Sequence, residues 1–108
     1  MKTPPLSPEP TLPQIQTHLD VVCRANGWDK NSVPEVFLLL NEEIGELAKA
    51  IRKYTGFKGE TKSLDKDNLE EEFADVLNYL LELANRFGVD LESVYRKKNL
   101  INETRSWE

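Results

Sequence analysis

The sequence predicts an all-α protein, an antiparallel four-helix bundle assembled into a homo-oligomer. Apolar residues recur every three or four positions in four consecutive stretches. Each stretch opens on a Thr, Ser or Asp, the side chains that cap helix N-termini. No stretch alternates apolar and polar residues with the period of two that a half-buried strand needs. The connections are short, as helix–helix connections in bundles are.

Residues 1–10 carry Pro4, Pro5, Pro8 and Pro10. Proline locks φ and removes a backbone donor, so this proline-rich leader is expected to be extended or disordered. The domain proper then covers 11–108. Thr11 and Gln14 form a capping box that opens the first helix, with Pro13 tolerated in its first turn. Leu12, Ile15, Leu19 and Val22 make its stripe, and Asn26-Gly27 ends it. Ser32 and Glu35 repeat the capping box for a second helix, with Pro34 in the first turn and Phe37, Leu40, Ile44, Leu47, Ala48 and Ile51 as its apolar stripe. This helix is expected to end near Tyr54. A polar loop follows to Lys66. Asp67 is the expected cap of the third helix, with Glu70 in the box position and Leu69, Phe73, Val76, Leu77, Leu80, Ala84 and Phe87 as its core stripe. Gly88 stops it. Asp90 caps a fourth helix bearing Leu91, Val94, Lys98 and Ile101 on one side, which frays from Arg105 to Trp107.

At 108 residues the chain is one domain with a modest core. Its formal net charge of −5 argues against a nucleic-acid backbone as partner. The single cysteine, Cys23, lies among apolar residues of the first helix and reads as core. No apolar run approaches the ~20 residues that span a bilayer, and the N-terminus lacks a signal-peptide core. The expectation is a soluble, cytoplasmic protein without a membrane partner. Leu38, Leu39, Leu81 and Leu83 add apolar surface outside the main stripes. A homodimer or homotetramer, with the site completed near a subunit interface, would cover it.

Two acidic runs stand out: Glu42-Glu43-Ile44-Gly45-Glu46 and Glu72-Phe73-Ala74-Asp75. Glu43 and Glu46 are three apart, as are Glu72 and Asp75, a spacing that stacks both carboxylates on one side of a helix. With Leu40 at zero, Glu43 falls about 60° and Glu46 about 120° to one side. With Phe73 at zero, Glu72 falls about 100° and Asp75 about 160° in the same sense, with Tyr79 between them in projection. Both pairs thus flank an apolar stripe, whereas Glu71 and Glu82 are expected on the solvent face. Glu42 points away from Glu43, toward Lys49 or Lys53, or serves as a second base. Four convergent carboxylates repel and need a cation, and hard oxygen donors suit Mg²⁺ or Mn²⁺ better than zinc. The plainer reading is a charged helix surface. A ferritin-like di-metal site would want Glu-x-x-His pairs, and no histidine follows either motif.

The chain resembles the MazG-like nucleoside triphosphate pyrophosphohydrolases, the all-α NTP pyrophosphatases. The resemblance rests on E-E-x-x-E at Glu42–Glu46, a gap of 25 residues, and E-x-x-D at Glu72–Asp75. Leu40-Asn41 before the first motif, Leu47-Ala48 after it, and Val76-Leu77-Asn78-Tyr79-Leu80 after the second agree with it. So does a K-x-x-x-N-x-x-R element at Lys98, Asn102 and Arg105. The resemblance implies Mg²⁺-dependent hydrolysis of an NTP or dNTP, including non-standard ones, to the monophosphate and pyrophosphate: a house-cleaning of nucleotide pools. It implies metal binding by Glu43, Glu46, Glu72 and Asp75, and phosphate contacts from Tyr79, Lys98, Asn102 and Arg105. A carboxylate not consumed by metal, Glu46 or Glu42, would activate water. Relatives stack the base on aromatics, which points to Trp28, with His18 nearby. Some relatives carry Trp seven residues after the first motif, where this chain has Lys53 followed by Tyr54. Two other readings stand beside this one. One is a phosphoribosyl-ATP pyrophosphohydrolase-like enzyme, and the other a non-catalytic helical oligomerisation or metal-binding module.

Overall fold

The structure is a computed structural model that describes residues 3, 5–59 and 65–105. It contains α1 (Leu12–Ala25), α2 (Val33–Thr55), α3 (Lys66–Arg86) and α4 (Leu91–Glu103), with short 3-10 turns at Trp28–Lys30 and Phe57–Gly59. Among the described residues there is no strand, so the all-α class holds.

The helix boundaries follow local chemistry. Gln14 N–H donates to Thr11 Oγ1 at 3.3 Å and Thr11 N–H donates to Gln14 Oε1 at 2.8 Å. Ser32 and Glu35 repeat that exchange at 3.3 and 3.0 Å. Each box satisfies two backbone donors that a helix start leaves orphaned. Gly56, at φ 71°, ends α2 in the left-handed conformation, where a side chain would be strained. One cap differs from expectation. Asp65, not Asp67, starts α3: its carboxylate accepts the N–H of Asn68 at 3.0 Å, and Asp67 lies inside the first turn. Asp90 caps α4 as expected, accepting Ser93 N–H at 3.0 Å.

The chain divides into two compact units. The first holds residues up to Lys30 together with those from Ala84 onward. Here Gln16 of α1 is buried, and every polar group of its side chain is used. Its Nε2 donates to Asn85 Oδ1 at 3.1 Å and to Val89 O at 2.8 Å, while its Oε1 accepts Leu91 N–H at 3.0 Å. Asn85 Nδ2 donates back to Gln16 O at 2.9 Å. This clasp holds the α3–α4 turn against α1. Cys23 is buried, as expected of a core thiol. Val94 and Ile101 of α4 are exposed. Residues 5–10 have no helix or strand, and Pro5, Leu6 and Ser7 line an apolar cleft of about 330 Å³ with Pro13, Gln14, Thr17, His18 and Val21. Trp107, expected at the frayed end, lies outside the described residues, as does the 60–64 part of the polar loop.

The second unit spans residues 31–83, that is α2 and most of α3. Val36 and Leu81 are fully buried, with Leu40 and Ala50 nearly so. The expected stripes are out of phase with this burial. Phe37, Ile44 and Ile51 of α2 and Phe73, Leu77 and Leu80 of α3 are exposed, whereas Glu43, Leu47, Glu72, Val76 and Tyr79 are half-buried. The inward face of each helix is therefore rotated toward its carboxylates. Glu82, expected on the solvent face, is only 7% exposed, and its neighbour Leu81 is fully buried. Of the four extra leucines, Leu38 is exposed and Leu81 is buried.

Candidate metal centre

The rotation of α2 and α3 brings Glu43, Glu72 and Asp75 together. One carboxylate oxygen from each lies within 4.8 Å of the other two. Glu72 and Asp75 reach the same point because they are one helical turn apart. Glu43 meets them from α2. Glu43 and Glu72 are half-buried and Asp75 is exposed, so the group has one wet side.

Like charges crowd within this group. Burial pushes the Glu43 carboxyl above the ordinary carboxylate range. The charges of Asp75 and Glu72, a hydrogen bond with Glu72 and the charge of Glu42 push it further. Glu72 Oε2 is buried and has no hydrogen-bond partner. A buried carboxylate oxygen left unpaired is costly, and a cation bound there would satisfy it. Three convergent carboxylate oxygens form a hard donor set, fitted to a divalent ion that prefers oxygen. Exposed Asp75 leaves room for water or an anionic ligand to complete such a shell.

Tyr79 stands one turn beyond Asp75 on the same ridge of α3. Burial raises its pKa, and the charges of Glu43, Glu82, Asp75 and Glu42 add to the effect. Its hydroxyl therefore stays protonated and able to donate. Glu46 is exposed and outside the three-oxygen group: it lies one turn along α2 and about 60° around the helix from Glu43. Glu42 is exposed, and Glu43 and Tyr79 both feel its charge.

The other sequence-expected residues belong to the first unit. Lys98 and Asn102 are on α4, and exposed Arg105 follows its C-cap. Trp28 is half-exposed in its 3-10 turn, where its carbonyl accepts the Arg86 guanidinium at 3.2 Å. His18 is half-buried on α1 at the cleft beneath residues 5–7. Glu82, which the sequence places on the solvent face, is instead buried, and its charge acts on Tyr79 three residues before it.

Among the described residues, no helix is long and apolar enough to cross a membrane. The chain is 37% identical over 103 residues to human dCTP pyrophosphatase 1, and 34% identical over 107 residues to the mouse protein of that name. Each alignment covers 92% of this chain and 61% of the relative, so the chain spans about six-tenths of the length of these relatives. Among solved structures, it resembles one described as the putative pyrophosphatase YpjD from Bacillus subtilis, with a TM-score of 0.75 and 27% identity, covering 93% of this chain and all of that one. It shares its fold with a Bacillus-conserved MazG protein described as a nucleotide pyrophosphohydrolase, at a TM-score of 0.71 and 24% identity over 94% of this chain and 97% of that one. Residues 31–104, which include all three clustered carboxylates, match the family model for the MazG nucleotide pyrophosphohydrolase domain, and the chain belongs to that family.

Proposed function

We propose that the protein hydrolyses the α–β phosphoanhydride bond of a nucleoside triphosphate, releasing the nucleoside monophosphate and pyrophosphate. The observation that carries this reading is the meeting of Glu43, Glu72 and Asp75 around an unpartnered Glu72 oxygen. These three residues would hold Mg²⁺, with Mn²⁺ as a substitute. Bound there, the ion supplies neutralisation of triphosphate charge and polarisation of the phosphoryl oxygens.

The chain's own groups supply the rest. Glu46, adjacent to the cluster but outside the three-oxygen group, takes the proton of the attacking water, with Glu42 as the second candidate. The water oxygen bonds to phosphorus, the anhydride bond breaks, and pyrophosphate leaves with the bridging oxygen. The protonated Tyr79 hydroxyl donates a hydrogen bond to a phosphate oxygen. The resemblance further assigns phosphate binding to Lys98, Asn102 and Arg105, and base contacts to Trp28 and His18. We assign the enzyme to the cytoplasm, where nucleotide pools lie, and to a homodimer or homotetramer. The names of the relatives make dCTP the first substrate to test.

The test is pyrophosphate release with Mg²⁺ across a panel of dNTPs and NTPs that includes dCTP and phosphoribosyl-ATP. Release by the wild type and its loss in Glu43→Gln support the proposal. Release from phosphoribosyl-ATP alone transfers the chemistry to that substrate. No release from any nucleotide, with wild type and Glu43→Gln alike, leaves a non-catalytic helical module.

A further inference from the structure

The turn that carries Trp28 is weakly held by its own residues. Gly27, at φ 75°, redirects the chain after α1, and Trp28–Lys30 form a single 3-10 turn. Its local hydrogen bonds are long. Gly27 N–H donates to Arg24 O at 3.3 Å and Lys30 N–H to Gly27 O at 3.4 Å, beyond the usual value of about 2.9–3.0 Å. Trp28, Asp29 and Lys30 are all exposed, so packing adds little. A turn this short and this exposed lies at the low-stability end of a fold.

A charged donor reaches the turn from far along the chain. Arg86, in the last turn of α3, donates from Nη2 to Trp28 O at 3.2 Å, across 58 residues. A guanidinium never loses its proton in a protein, and hydrogen bonds from charged donors are stronger than neutral ones. Arg86 also stands on a fixed base. Ala84 is buried, and Asn85 is bonded both ways to Gln16 of α1. Half-buried Arg86 therefore links the clasped end of α3 to the turn that follows α1. Holding the carbonyl fixes the peptide plane after Trp28 and leaves the side chain its two χ angles alone. Yet the indole placed by this tie is 50% exposed, so the tie adds little to core burial. What a solvent-open, stationary indole offers is a flat face on which a heteroaromatic ring can stack. Stacking on a face already held still forfeits less side-chain freedom on binding.

We infer that Arg86 is a positioning residue for the nucleobase, fixing the backbone of the 28–30 turn so that the Trp28 indole meets the base in one orientation. The inference deepens the proposed function and rests on its reading of Trp28 as a base contact. Arg86 acts through Trp28 and touches neither the base nor the phosphates.

The test uses the full chain with Trp107→Phe, which leaves Trp28 as the one indole. Time-resolved fluorescence anisotropy reads the tie. With Arg86 present, Trp28 is expected to tumble with the protein. Arg86→Met, which suits a helix and removes every donor, is expected to add a sub-nanosecond component. In titrations followed by Trp28 quenching, dCMP should bind Arg86→Met about tenfold more weakly, and Arg86→Lys should recover most of that loss. Inorganic tripolyphosphate with Mg²⁺ has no base, and calorimetry should find its affinity the same for both proteins. Equal weakening of both ligands overturns the inference, because Arg86 would then touch phosphate or merely support the fold. An indole as still in Arg86→Met as in the parent overturns it, as does a dCMP affinity that the change leaves alone. With Trp28→Ala also present, calorimetry should show no further effect of Arg86→Met on dCMP, and a second tenfold loss overturns the inference. Should Arg86→Met lose its helical circular dichroism, the parent protein decides. An anisotropy decay without a fast component supports the tie, and one dominated by it overturns the tie. None of these readouts needs turnover, so a failure of pyrophosphate release counts against the proposed activity and not against the tie.

Discussion

Replacing Glu43 with glutamine should stabilise the metal-free protein while abolishing the proposed pyrophosphate release. Glu43 faces two other carboxylates with oxygens within 4.8 Å. At that separation each like-charge pair costs about 0.9 kcal/mol if screened as in bulk water, and several times more in a drier setting. Asp75 is the wet member of the group, so the watery limit is the safer one, and two pairs give about 1.5–2 kcal/mol. For a chain of this size that corresponds to a rise in melting temperature of about 6–9 °C at neutral pH. The pH dependence has a definite sign. The folded Glu43 carboxyl sits above its ordinary value of 4.5, so the folded state binds that proton more tightly. Its contribution favours folding below pH 4.5 and is lost as pH rises through the raised folded value. Glu43→Gln should remove that loss and flatten the curve. Magnesium should raise the wild-type melting temperature and leave that of the variant almost unchanged. The assay is thermal melting by circular dichroism from acidic to neutral pH, at fixed protein concentration, with and without Mg²⁺. A variant that melts below the wild type at neutral pH without metal would refute the reasoning, because Glu43 would then be held by attraction rather than crowding.

Gln16→Ala opens the clasp in the first unit and leaves Asn85 Oδ1, Val89 O and Leu91 N–H without their partner; about 2–4 kcal/mol of stability should be lost in denaturant titration. Glu35 accepts the Ser32 backbone N–H, which holds its carboxyl below the ordinary 4.5. Wild type should therefore be more stable than Glu35→Gln above pH 4.5, with the difference vanishing as pH falls through the depressed folded value, as melts across that range would record. Tyr79→Phe removes the proposed phosphate donor and should lower kcat/KM for pyrophosphate release at least about tenfold, without moving the melting temperature of the metal-free protein by more than a few degrees.

The ends of the helices were readable because capping is local. Thr11 with Gln14 and Ser32 with Glu35 are three residues apart, and each pair carries its own hydrogen bonds wherever the helix later packs. The one displaced cap, at Asp65 rather than Asp67, reflects two aspartates two positions apart competing for the same start. The clasp at Gln16 was invisible, since its partners lie 69 to 75 residues away and no spacing rule reaches so far. Within the acidic motifs, the three-residue spacing did identify the cluster, and Glu43, Glu72 and Asp75 do meet. Glu46 shares that spacing but not the meeting point. A second carboxylate on α2 is displaced along the axis, and Glu72 and Asp75 already occupy the opposing turn.

The phase of the two long helices was misread for a physical reason that links stability to the candidate site. Periodicity reports that a helix has an apolar face, not whether that face is buried within its own chain or between chains. Here the inward seam holds Glu43, Glu72 and Tyr79, while Ile44 and Phe73, one residue along each helix, point out. A hairpin built this way gives up apolar burial at its seam and gains mutual repulsion among carboxylates. A cation at the seam can offset that. Ile44 points out of the seam, so melting temperature should rise with Mg²⁺ by the same increment in wild type and in Ile44→Glu. A magnesium response lost in Ile44→Glu would mean that the outward face takes part in forming the carboxylate group, and the separation of seam from outward face would have to be abandoned.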